Sequence, residues 1–145
     1  MRAYEPDFSQ WRYLDSEWIP NLSKDIIDIM DKMNRLGMHT TQSRNDTDFG
    51  YIGFVAPLEK VDVASSVLWK QIFALTRSEY AWFSPAISLQ YIRYVDYGEW
   101  SFHIDTTARC IRKVSERTRV RNMKRAWDMW RKAIRAVGRT EEVKK

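Results

Sequence analysis

The sequence predicts an α+β fold: two antiparallel strand pairs, or one four-stranded sheet, packed against helices and followed by a long basic helix. Three observations carry this. Apolar residues recur at spacings of three and four in three stretches, which is the helical period. Between those stretches lie apolar or alternating segments bounded by turn residues, as strands are. Charge is also segregated along the chain. Arg109–Arg139 holds twelve Lys/Arg against two acids, whereas Met1–Thr107 holds ten against fifteen. The implied order is α-β-β-α-β-β-α, with strands paired in hairpins.

Residues 1–21 are aromatic and polar without a clear period, and read as an N-terminal arm carrying Trp11, Tyr13, Trp18 and Ile19. Ser23 is a suitable N-cap for the first helix. Leu22, Ile26, Ile29, Met30, Met33 and Leu36 then mark one apolar face, and Gly37 supplies the stop. Met38–Ser43 reads as a short strand, and Arg44–Asp48 as a polar loop. Phe49–Ala56 reads as a buried strand in which Gly50 and Gly53 mark a bulge or a close backbone approach.

A second helix is predicted from about Glu59 to Arg77. Val61, Ala64, Val67, Leu68, Ile72 and Leu75 form its apolar face, widened by Trp69 and Phe73. Ala86–Asp96 and Glu99–Thr107 form a hairpin with a two-residue turn at Tyr97-Gly98. That register sets Val95 against Trp100, Arg93 against Phe102 and Tyr91 against Ile104. It leaves Asp96 facing Glu99. The final helix is predicted over about Thr107–Val137, ended by Gly138, with a bend or break near Glu116–Thr118. Val120, Met123, Trp127, Trp130, Ile134 and Val137 form its apolar stripe, which reads as core in preference to a partner interface. In domain terms the body is 22–107, the basic helix 108–138 and the tail 139–145, all in one domain.

The chain has 145 residues, 44% hydrophobic and 30% charged, which suits one globular domain. Cys110 is the single cysteine, so no disulfide forms within the chain. The N-terminus lacks the apolar core of a signal peptide, and no apolar run approaches the ~20 residues of a membrane span. The expectation is an intracellular, cytoplasmic protein.

The basic helix points to an anionic partner. The leading reading is a non-enzymatic protein that binds DNA or RNA. Arg112, Lys113, Arg117, Arg119, Arg121, Lys124, Arg125, Lys132 and Arg135 would contact phosphates. Tyr94 and Tyr97 would be the residues to stack on bases. The bland reading is a solvated helix face that pairs with the protein's own acids. An alternative is a small interaction or inhibitor module that docks on an acidic protein, or self-association of acidic body with basic helix.

A third reading is enzymatic. His39 and His103 both fall in or beside predicted strands, and Asp105 shares the face of His103, where it would orient the ring and raise its pKa. His39-Thr40-Thr41 resembles the H-x-T motif that 2H phosphoesterases use as a facing pair. The second motif departs from that pattern, because Asp105 stands where a hydroxyl is needed. The resemblance implies a His-dependent phosphodiesterase or nuclease using His39 and His103, with Asp105 a candidate only as the acid that orients His103. No cofactor and no metal is expected. Asp46 and Asp48 lack the other ligands of a calcium loop, and one Cys with two distant His makes no zinc site.

Overall fold

The computed structural model describes residues 24–76, 86–93, 95, 98–106 and 115–144. Seven elements follow in order: α1 Lys24–Arg35, β1 His39–Asn45, β2 Phe49–Val55, α2 Leu58–Thr76, β3 Ala86–Arg93, β4 Gly98–Asp105 and α3 Glu116–Lys144. The strands form one four-stranded antiparallel sheet in the order β1-β2-β4-β3. The two predicted hairpins are therefore joined through β2 and β4 into a single sheet.

α1 buries Ile26, Ile29, Met30 and Met33, the stripe its sequence period predicts. It ends as expected at Gly37, whose φ of 77° is one that a Cβ disfavours. The Gly37 amide donates to the Asn34 carbonyl and the Met38 amide to the Met33 carbonyl, both close to 3 Å. That pair of bonds satisfies the last carbonyls of the helix.

One face of the sheet meets the helices. It presents Gly50, Ile52 and Phe54 from β2 and Trp100, Phe102 and Ile104 from β4. α3 lies on this face. Trp130 is wholly buried and stacks on Phe102, with ring centroids 4.5 Å apart. Its indole N–H donates to the Met33 sulfur at 3.4 Å and ties α3 to α1. Trp127 is tilted against Phe102, and its indole N–H donates to the Asn45 side chain at 3.1 Å. The tryptophan stripe is thus core. Gly50 makes the close approach possible: a Cβ there would lie 2.9 Å from both Met123 Sδ and Trp127 Cζ2.

Several expectations are corrected. β1 runs to Asn45, so Arg44 and Asn45 belong to the strand and the loop shrinks to Asp46–Asp48. Asp46 organises that loop. Its carboxylate accepts from the amides of Asp48 and Phe49, at 2.9 and 2.7 Å, and so replaces missing backbone partners. The β3–β4 register differs by four residues from the predicted one. Tyr91 faces Trp100, Leu89 faces Phe102, and Arg93 faces Gly98. An even shift keeps every side chain on its predicted face, so face alternation alone could not exclude it. It sets Glu99 opposite Ile92 in place of Asp96.

Trp69 and Phe73 do not widen the buried face of α2. They are 47% and 63% exposed, while Val61, Ala64 and Leu68 are buried. Gly138 does not stop α3, which continues to Lys144. Leu36 stands beside Gly138, 3.7 Å from where a Cβ would be, and Glu141 pairs with Lys60 at 3.9 Å, so the helix past Gly138 has tertiary support that its sequence does not display. The predicted break near Glu116–Thr118 is where α3 begins. Ser115 caps it: its hydroxyl accepts from the Thr118 amide at 3.2 Å. The predicted segments 1–21 and 107–114, and Ser23, lie outside the described residues.

Candidate functional site

Two surfaces carry the functional residues that the sequence singles out. The first is the outer face of α3. At about 100° per residue, Arg117, Arg121, Lys124, Arg125, Asp128, Arg131, Lys132, Arg135 and Arg139 fall within roughly 120° of arc. The buried residues Met123, Ala126, Trp127, Trp130, Ala133 and Val137 occupy the opposite side. One helix thus separates a structural face from a charged face. The whole element holds ten Lys/Arg and four Asp/Glu.

Arg117, Arg121, Lys124, Arg125, Lys132, Arg135 and Arg139 are all exposed, and none forms an ion pair with a described residue. The predicted alternative, that this helix neutralises the protein's own acids, is met at one place among the described residues. Arg119 reaches Asp48 at 3.0 Å. Arg119 lies about 200° round from Arg117, on the buried side. It stands in line with Met123, Ala126 and Trp130 at spacings of 4, 3 and 4, a phase that the sequence displays. Arg131 pairs with Asp128 at 2.6 Å, one turn away on the same face. Arg131 and Arg139 belong to the charged face but are absent from the sequence-derived set. Arg112, Lys113, Tyr94 and Tyr97 lie outside the described residues.

The second surface is the face of the sheet turned away from the helices. It brings together Thr41, Gln42 and Arg44 from β1, Tyr51 and Gly53 from β2, and Glu99, Ser101, His103 and Asp105 from β4. His103 stacks on Tyr51, with ring centroids 5.5 Å apart and planes 24° off parallel. His39 is also on this face, beside Val55. The two imidazoles are not brought together. They sit two strands and four residues apart, or about 16 Å from the strand spacings, too far to grip one phosphate. Burial holds the His103 pKa below its usual value; a rise through Asp105 is not found. Burial and then the Lys60 charge lower His39 likewise.

Glu99 is the residue of this face that sequence reasoning missed. It is only 5% exposed, and Ser101 beside it 4%. The Thr41 hydroxyl donates to its carboxylate, and the Gln42 amide approaches the same oxygen at 3.5 Å. A bulge between Thr40 and Gln42 places both donors over Gly53. A Cβ on Gly53 would lie 2.5 Å from the Glu99 carboxylate, so the acid rests on bare backbone. The glycine in an apolar strand was the available signal. Its partner could not be read without the register.

No group of three or more His, Cys, Asp or Glu side chains able to hold a metal ion forms among the described residues. No described helix is long and apolar enough to cross a membrane. Comparison with protein families, curated proteins and solved structures finds no match for this chain.

Proposed function

We propose that this protein is a non-enzymatic nucleic-acid-binding protein that contacts phosphates through the outer face of α3. The observation that carries this is the row of seven exposed basic side chains, none ion-paired to a described residue, on one arc of a helix whose other side is locked into the core. The helix cannot turn its charges away without losing Trp127 and Trp130. Such a face pre-orients cations where a polyanion can displace their water and release its own counterions. The contact set is Arg117, Arg121, Lys124, Arg125, Lys132, Arg135 and Arg139. Arg112 and Lys113 join it on sequence grounds. Arg119 leaves it, because it is held by Asp48.

The test is binding of labelled nucleic acid across a salt titration. Four to five simultaneous phosphate contacts give log K against log salt a slope of roughly −4. Replacing Arg121, Lys124, Arg125 and Arg135 with Ala weakens binding and flattens that slope. Absence of binding at low salt would overturn the proposal, and an acidic protein partner would then be sought for the same face.

A further inference from the structure

We infer that the charged face of α3 fits a B-form duplex, straddling a groove with one basic cluster on each phosphate ridge and reading no base sequence. The inference rests on the function proposed above and adds the class of nucleic acid. Its first ground is the distribution of charge along the helix. Arg117, Arg121, Lys124 and Arg125 form one cluster, and Lys132, Arg135 and Arg139 a second. Between them Asp128 is paired with Arg131, so the centre of the face has no net charge. At about 1.5 Å per residue the cluster centres are roughly 20 Å apart. The major groove of B-DNA is about 12 Å wide between its phosphate ridges, and long Arg and Lys side chains span the remainder. An acid at the midpoint then faces the groove, where no phosphate lies. A single strand laid along the helix would cross that neutral centre and gain no cation contact there.

The second ground is depth. α3 is seated on the sheet at Gly50 and Phe102. It is tied to α1 through Trp130 and Met33 and to α2 by the Gln71 amide, which donates to the Met129 carbonyl at 2.9 Å. Only about a third of its circumference faces solvent. A helix so embedded meets the duplex by this one face, and the spacing of its two clusters sets the cations on the phosphate ridges, where contacts fix position and carry no base readout. The third ground is the absence of aromatics from this face among the described residues. Single-strand binders stack bases on such side chains. The exposed Trp69 and Phe73 are each two residues from Gln71, or about 200° round α2, and so point away from α3.

The experiment uses the full chain and fluorescent oligonucleotides two to three helical turns long: duplex DNA of unrelated sequences, duplex RNA, and each single strand. Duplex DNA is expected to bind about tenfold tighter than either single strand, with unrelated sequences agreeing within roughly threefold. Replacing either cluster alone with Ala should bring duplex affinity down to the single-strand level, with the fold checked by circular dichroism. Equal or tighter binding of single strands or of duplex RNA would overturn the inference while leaving phosphate binding intact. A strong dependence on sequence, or indifference to the loss of one cluster, would overturn it too. No binding to any nucleic acid would remove the proposed function and this inference together.

Discussion

Gly50→Ala is the sharpest test of how α3 is held. In an exposed strand this change is expected to help by about 0.5–1 kcal/mol, because glycine loses more backbone freedom on folding. The structure reverses the sign. The new Cβ would sit 2.9 Å from Met123 Sδ and 2.9 Å from Trp127 Cζ2, with Ile104 Cδ1 at 3.4 Å. Ordinary contact needs about half an ångström more at both of the close atoms. Met123 can flex. Trp127 cannot easily, since its ring packs on Phe102 and its N–H is bonded to Asn45. Overpacking of this kind costs about 1–3 kcal/mol. For a chain of this length that lowers the melting temperature by roughly 3–10 °C. Urea denaturation followed by tryptophan fluorescence measures it directly. Adding Met123→Ala should make the two changes non-additive, because it vacates one of the two clashing positions. An unchanged or raised stability for Gly50→Ala would refute the packing of α3 on β2 described above.

Trp130→Ala should cost about 3–5 kcal/mol in the same assay, since it empties the centre of the core and removes the contact to Met33. Glu99→Ala should cost about 1–3 kcal/mol by stranding the Thr41 donor, and Gly53→Ala should destabilise by crowding the same carboxylate. Both His39 and His103 have folded pKa values below the usual 6.5, so the unfolded chain takes up protons first as pH falls. Stability should therefore be flat above about pH 6.5 and decline below it, and His103→Gln should shallow that decline. Arg119→Ala should cost no more than about 1 kcal/mol, the range of a partly exposed pair, and should leave any salt-dependent binding unchanged.

The fold was legible where local chemistry decides it. The α1 stripe and its glycine stop, and the tryptophan stripe of α3, follow from periods that burial then obeys. The pairing of β2 with β4 was not legible, because hydrogen bonds between distant strands leave no mark on either one. The β3–β4 register was misread for a specific reason. A shift of four residues preserves the face of every side chain, so alternation favours neither register. The preference for a two-residue turn then decided wrongly. Gly138 misled in a similar way. A glycine is a stop only where nothing supports the next turn, and Leu36 packs beside it.

The charged face divides along the same line. Its existence follows from composition, since ten basic residues on one 29-residue helix cannot all be buried. Membership of the face follows from phase. Arg119 has the same side chain as Arg117 and Arg121, yet it stands a half-turn away, in register with Met123 and Trp130. Its charge is used internally, to fix the β1–β2 loop at Asp48. Counting basic residues could not make that distinction, whereas assigning each one an angle from the buried stripe does. The same angles place Asp128 at the centre of the face, where a count treats it only as one charge subtracted. Its position splits the charge into two clusters, and under the proposed function it is that division, more than the total, that would favour a duplex over a single strand.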